Sequence, residues 1–327
     1  MTAREVLLTG VTGFVGPHVI EELAGRSCRV RALVRQSSNT QALRDLGIAL
    51  TVTELSDTAA LKAAMADVDV VIHMAALTHA RTESELTRVN RDGTAALADA
   101  AAESGRVLRF VYLSSLAAVG PSDGRPVTAD DEPHPLTAYG RSKLAGEAAL
   151  QTRSVAMQTV TLRAAAVYGP GDRELLRFFR LAKVGALPIP AGPARPLQLV
   201  HVKDLARAIA DAALHEGELG GTYHIADPRA YPWKDVCGLV GDAVGRKPVF
   251  LPVPQTAIAM AAAVSEAMSS ALGRSTMFNR DKVRELLAPG WLCETDGARQ
   301  AFGFSAEIPL PAGLRNTADW YRSKGWL

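Results

Sequence analysis

Three glycines, Gly10, Gly13 and Gly16, stand three residues apart in the stretch LLTGVTGFVG, directly after the apolar run Val6-Leu7-Leu8. The run reads as a short buried strand. The residues that follow carry Val19, Ile20 and Leu23 at helical spacing and read as a helix. The glycines therefore occupy a strand-to-helix turn, where glycine permits positive φ and lets another group approach the backbone closely. A helix N-terminus offers free N–H groups and a partial positive charge, so a phosphate is the natural guest of such a turn.

The same alternation continues down the chain. Strand-like runs at 28–35, 48–55, 69–77, 109–120 and 158–169 are separated by helix-like runs, among them 87–105 and 138–153. Strands alternating with helices predict an α/β fold, a Rossmann-type doubly wound parallel sheet. Beyond Gly169 the rhythm breaks into a segment rich in Pro and Gly (170–196), returns as strand and helix at 197–214 and as a strand at 221–227, and then changes character. The expected division is a dinucleotide-binding domain of residues 1–169 plus about 197–227, and a smaller C-terminal substrate-binding domain of 170–196 plus 228–327.

Charge and composition narrow the partners. The chain of 327 residues has 36 basic and 34 acidic side chains and no basic block, which disfavours nucleic acid and anionic membrane as partners. Cys28, Cys237 and Cys293 lie far apart and form no metal or CxxC pattern, as suits a reducing, cytoplasmic setting, and no metal is expected. The opening residues run straight into a strand, so no signal peptide is predicted. The apolar run 256–273 contains Glu266 and several Ser and is too polar and short for an integral membrane segment; it reads as an Ala-rich packing helix, or else as a lid touching an apolar substrate or a bilayer surface.

In order along the chain, TGVTGFVG, HMAA after the fourth strand, YLSS on the fifth, YGRSK, VYGPGD at the end of the sixth and LVHVKDLARAI resemble the extended short-chain dehydrogenase/reductase family, over nearly the whole chain. The segment LRAAAVYGPGDRELLRF looks most like the branch that holds 3β-hydroxysteroid dehydrogenases and dihydroflavonol-type reductases, although that branch often has Pro where Ala164 stands. The resemblance implies a nicotinamide cofactor whose diphosphate lies on the glycine turn, with Gly10, Thr12, Gly13, Phe14, Val15 and Gly16 around it. It further implies cofactor contacts from Glu54, Leu55, Ala75, Ala76, Ser114, Ala166 and Val167. At the end of the second strand, where an acidic residue would hold the ribose hydroxyls of NAD, the chain has Arg35, with Ser37 nearby. Arg pairs bidentately with phosphate, so NADP is favoured, with NAD as the alternative.

Tyr139 and Lys143 are four residues apart on a predicted helix and so share a face. Removing hydride from an alcohol carbon requires the hydroxyl proton to leave as well, and a phenol of pKa ~10 is a poor base near neutrality. A neighbouring ammonium favours the phenolate. The resemblance implies that Tyr139 exchanges this proton, that Lys143 also holds the nicotinamide ribose, and that Ser115 orients the substrate oxygen, with Ser114 as the neighbouring candidate. Asn90 matches a supporting position, with a plain helix hydrogen-bonding role as the alternative; His201 is expected to be structural.

Leu77, His79, Ala117, Tyr168 and Arg173 are the candidate substrate contacts. The sugar-nucleotide epimerases of the family usually carry Asn where this chain has Ala166, and the dehydratases an acidic pair that SSLAAVG lacks. The expected activity is therefore hydride transfer between NADP(H) and a secondary alcohol or ketone of an apolar, sterol-like or polycyclic molecule. A sugar-nucleotide epimerase and a non-catalytic dinucleotide sensor are the alternatives. A homodimer packed through 87–105 and 138–153, whose alanines permit close helix approach, is a further expectation.

Overall fold

The computed structural model describes residues 3–272, 276 and 278–327. Its first half alternates β1 (Arg4–Thr9), α1 (Gly16–Ala24), β2 (Cys28–Val34), α2 (Gln41–Asp45), β3 (Ala49–Val52), α3 (Thr58–Ala64) and β4 (Val70–His73). Next come α4 (Glu83–Thr87), α5 (Gly93–Glu103), β5 (Arg109–Ser115), α6 (Ala138–Gln151) and β6 (Gln158–Ala164). The strand Gly221–Ile225, β11 in chain order, completes a seven-stranded sheet of order β11-β6-β5-β4-β1-β2-β3. Every pairing in it is parallel. Both faces are covered, which is why β1 reads as a continuous apolar run. Val6 and Leu8 point into one core with Val19, Ile20 and Leu23 of α1, while Leu7 points into the other with Leu61, Leu97 and Leu150. The direction of winding reverses between β1 and β4, and the crevice above such a switch point is where sheets of this kind bind ligands.

The remaining elements are β7 (Ala166–Tyr168), α7 (Leu176–Val184), β8 (Ala186–Pro190), β9 (Pro196–Leu197), β10 (Leu199–His201), α8 (Val202–Leu214), β12 (Tyr231–Pro232), α9 (Trp233–Ala243), β13 (Val249–Val253), α10 (Gln255–Ala271), α11 (Arg280–Leu287), α12 (Asp296–Phe302) and α13 (Leu310–Ser323). Helix α8 returns to the sheet and packs beside α1. A separate core forms from α7, β8, α9 and α13 around Phe179, Leu187, Val240, Leu314 and Tyr321.

Several elements differ from the expectation. The sixth strand is not continuous over 158–169. It breaks at Ala165, whose N–H bonds Ile225, and β7 pairs with β10 instead. The fifth strand stops at Ser115 because that side chain accepts the amide of Ala117 and starts a 3-10 turn. The third and fourth strands are shorter than 48–55 and 69–77. The helix of 87–105 starts earlier, at Glu83, and passes through a π turn at Arg88–Asp92 that turns Asn90 inward, fully buried. The run 256–273 forms α10, with Gly273 outside the described residues. It is a weak packing helix: Ala262 is buried, but Met260, Val264, Met268 and Leu272 are exposed.

Candidate active site

The first turn has the geometry that its glycines allow. Gly10 has φ +75°, and a Cβ there would sit 2.6 Å from the backbone of Met74 and Ala75. Gly16 lies so close to Val11 that a side chain would overlap its carbonyl. Helix α1 opens without a side-chain cap and with Pro17 in its first turn, leaving its positive end to the crevice. A backbone cradle that any Cβ would fill, at an uncapped helix start, fits a dinucleotide diphosphate.

A buried polar chain supports this turn, and the sequence reading missed it. Thr9 Oγ1 lies 2.6 Å from His73 Nδ1, and His73 Nε2 lies 3.0 Å from Thr94 Oγ1. Burial pushes the His73 imidazole down to about 3, so it is neutral. Thr9 accepts the amide of Ala75 and Thr94 donates to the carbonyl of Asn90. The proton order that satisfies every group is therefore Thr9 to Nδ1 and Nε2 to Thr94. Asn90 extends the chain sideways, accepting the amide of Leu77 and donating to its carbonyl and to Ser142 Oγ. Ser142 in turn donates to the carbonyl of Tyr139. The strand end under the glycine turn is thereby fastened to the helix that bears Tyr139.

Helix α6 begins at Thr137, whose hydroxyl accepts the amide of Gly140 at 3.0 Å. Gly140 and Gly146 let the helix lie against Ala117 and Tyr112, where a Cβ would approach within 2.2 and 2.4 Å. Lys143 is fully buried, donates to the carbonyl of Leu113 at 2.7 Å and sits 4.0 Å above the Tyr112 ring. Burial pushes its ammonium down to about 7, against an upward pull from Glu147. Glu147 forms a buried pair with Arg163, at 2.8 Å, and accepts the Ser114 hydroxyl. Ser114 lines the crevice with its hydroxyl turned to Glu147, and alternation along β5 leaves the Ser115 hydroxyl on the Tyr139 side.

Burial pushes the Tyr139 phenol up to about 12. The Ser115 hydroxyl pulls it down, Glu285 and Glu174 push it further up, and Lys282 opposes them. Lys143 is engaged by Leu113 and Tyr112, and the charges that bear on the phenol in this structure come from Glu285, Glu174 and Lys282.

One cleft of about 1510 Å³ brings together Gly10, Thr12, Gly13, Phe14, Val15, Ala76, Ser114, Ser115, Tyr139, Lys143, Ala166 and Val167. Gly16, Arg35, Ser37, Glu54, Leu55 and Ala75 stand outside its wall. Gly16 packs on Val11, the Leu55 side chain covers Gly93, and the Ala75 amide is held by Thr9. Arg35, Ser37 and Glu54 are exposed on the rim beyond the C-terminal ends of β2 and β3.

Of the candidate substrate contacts, His79, Ala117, Tyr168 and Arg173 line the cleft; Leu77 stands outside it, its backbone N–H and carbonyl both bonded to Asn90. Tyr168 is mainly a core residue, edge-on to His201 at 5.2 Å, and Arg173 lies 4.8 Å above the Trp326 ring. His201 caps α8 through its Nδ1. All four tryptophans of the chain, Trp233, Trp291, Trp320 and Trp326, line the same cleft. Residues from α11 that the sequence reading did not single out close its far side: Asp281, Lys282 and Glu285. Among the described residues, no three His, Cys, Asp or Glu side chains gather as metal ligands, and no helix is long and apolar enough to cross a membrane.

A parallel sheet with a glycine turn at its switch point and a Tyr-Lys pair in the same crevice defines a nicotinamide-dependent enzyme of the short-chain dehydrogenase/reductase type. Residues 6–226 match the NAD dependent epimerase/dehydratase family, and the chain belongs to it, as an extended short-chain dehydrogenase/reductase that works with NAD(P). It is 34% identical to a ceramide reductase of Caulobacter vibrioides, over 98% of this chain and 96% of that protein. It is 36% identical, over 52% of each chain, to a 4-hydroxy-2-methyl-3-oxo-4-farnesyl-3,4-dihydroquinoline-1-oxide ketoreductase of Stigmatella aurantiaca. The crystal structure of gox2253 has a TM-score of 0.81 against it at 26% identity, covering 100% of both chains.

Proposed function

We propose that the protein reduces the ketone of a long, largely apolar lipid to a secondary alcohol, with NADPH preferred over NADH. The observation that carries this reading is the cleft wall: Phe178 and all four tryptophans stand in the same cavity as Ser115, Tyr139 and Lys143. Aromatic faces of this extent suit a hydrocarbon chain or fused rings. The names of two relatives, a ceramide reductase and a ketoreductase of a farnesylated quinoline, support it. In this reading residues 170–196 and 228–327 build the substrate-binding part.

When bound, the nicotinamide supplies the hydride. The chain's own residues do the rest. The amides of the glycine turn and the start of α1 hold the diphosphate, and Lys143 holds the nicotinamide ribose. Arg35 pairs with a 2′-phosphate from the open rim. The Ser115 hydroxyl orients the carbonyl oxygen, and Tyr139 Oη gives that oxygen a proton as negative charge gathers on it. A phenol pushed up to about 12 keeps its proton at neutral pH, the state that reduction needs.

The experiment is nucleotide consumption followed by absorbance, over a panel of lipid ketones with NADPH and NADH. A reductase consumes the nucleotide in step with ketone, whereas an epimerase leaves its absorbance unchanged over a turnover. Tyr139→Phe should lower kcat by about a thousandfold or more while NADPH affinity stays within a few-fold. Retained turnover would remove Tyr139 from this role.

A further inference from the structure

Lys282 faces the cleft from α11, with its Nζ 3.1 Å from Glu285 Oε2 and 3.4 Å from Glu174 Oε2. On its other side Glu174 faces His79, whose Nε2 lies 3.5 Å from Oε1. An ammonium has three N–H donors. Two are engaged by these carboxylates, and the side chain keeps 44% of its surface open although it lines a cavity.

The helix start that carries this group is anchored by two hydrogen bonds. The amide of Lys282 is capped by Asn279 Oδ1 at 2.9 Å, which sets the start of α11. The preceding residue, Asp281, accepts the amide of Ala138 at 2.8 Å. Ala138 precedes Tyr139, so this hydrogen bond ties the start of α11 to the start of the helix that carries the phenol, and Lys282 and Tyr139 line the same cleft.

The charges decide what it can hold. Arg280 and Arg284 of the same helix are paired with Glu266 and Asp281, so Lys282 with its two carboxylates is left one charge negative, which makes this spot, unlike the arginine-bearing remainder of the wall, a poor place for a phosphate or carboxylate. A neutral oxygen, from a hydroxyl or an amide carbonyl, accepts a charge-assisted hydrogen bond without that repulsion.

We propose that Lys282 is a specificity-determining residue whose third N–H holds a neutral oxygen of the substrate close to the reacting carbonyl, so that the enzyme prefers ketones with an adjacent hydroxyl or amide. This rests on the reductase reading and names the polar end of its substrate.

The test compares three long-chain ketones of equal length: one plain, one with a hydroxyl and one with an acylamino group on the carbon beside the carbonyl. Each is assayed at saturating NADPH with the unaltered enzyme, Lys282→Met and Lys282→Arg. Expected is a KM about 10–100-fold higher in Lys282→Met for one or both substituted ketones, the size of a lost charge-assisted bond. The KM of the plain ketone should change less than threefold, any change in kcat through the phenol should be shared by all three ketones, and Lys282→Arg should recover part of the KM loss. Which substituted ketone responds tells hydroxyl from amide. An equal rise in KM on all three ketones, or no preference for the substituted ones in the unaltered enzyme, would overturn the inference and leave the reductase reading standing. NADPH binding with no ketone reduced by the unaltered enzyme would overturn both.

Discussion

Glu147→Gln tests the buried electrostatics under the catalytic helix. Glu147 and Arg163 keep 9% and 6% of their side-chain surface, and their charges meet at 2.8 Å. The amide of Gln keeps the size of the side chain and one acceptor for Ser114, but removes the charge. Arg163 is then a buried cation without its counter-ion, and one of its terminal nitrogens, Nη1, already has no hydrogen-bond partner. Breaking a buried pair from one side costs about 3–5 kcal/mol. The second effect falls on Lys143, one helical turn away. Two charges about 6 Å apart at an effective dielectric near 20 interact by about 2.8 kcal/mol, which bounds the shift at about two pKa units. Losing the carboxylate therefore moves the Lys143 ammonium down from about 7, since Glu147 is what pulls it upward.

The sign follows from proton binding. Lys143 titrates near 7 in the folded chain and near ~10.4 when unfolded, so between those values the unfolded chain binds more protons and stability rises with pH. In Glu147→Gln that rise begins at a lower pH. Two measurements check this. Urea unfolding at fixed pH should show the loss of about 3–5 kcal/mol. NADPH affinity against pH should decline at a pH about one to two units lower than in the unaltered enzyme, as the ribose-holding ammonium loses its proton. A stability change below about 1 kcal/mol together with an unshifted affinity profile would refute both the pair's role and the coupling to Lys143.

Two further outcomes follow from the nucleotide end of the crevice. Gly10→Ala places a Cβ 2.6 Å from the backbone at Met74 and Ala75, at φ +75°; combined strain and overlap of about 2–5 kcal/mol should lower the melting temperature and weaken NADPH binding tenfold or more, read by a thermal scan and a fluorescence titration. Arg35→Asp removes the proposed phosphate partner and adds a repelling charge, so the ratio of kcat/KM for NADPH over NADH should fall about tenfold or more; an unchanged ratio would show that the rim does not read the 2′-phosphate.

Residues whose placement follows from local spacing were legible. The glycines occupy one turn, and Tyr139 and Lys143 lie on one helix, so their arrangement needs no tertiary knowledge. Ser115 against Ser114 was a matter of strand alternation, and the structure turns Ser114 to Glu147. Most of the misses are products of long-range packing; the end of the fifth strand at Ser115 is a local exception, set by a bond two residues long. Glu174 and Lys282 are 108 residues apart, and Thr9 and His73 are 64 apart on neighbouring strands. No periodicity records such meetings, although a Thr directly before the first glycine and a His ending a buried apolar strand were a readable hint of a polar pair beneath the turn. The break at Ala165 was hidden for the same reason: LRAAAVYG has strand propensity throughout, and the change of partner depends on β10, more than thirty residues later.

The bond from Asp281 to the amide of Ala138 makes the wall of the substrate cavity part of the scaffold for the proton donor. Were α11 to swing outward to admit a bulky lipid, the first turn of α6 would surrender a charged anchor from that wall and, with it, some of the register of Tyr139. Entry of substrate and alignment of the phenol are thus two readings of one mechanical coordinate, and a chain wide open to solvent is also one whose acid is poorly aimed.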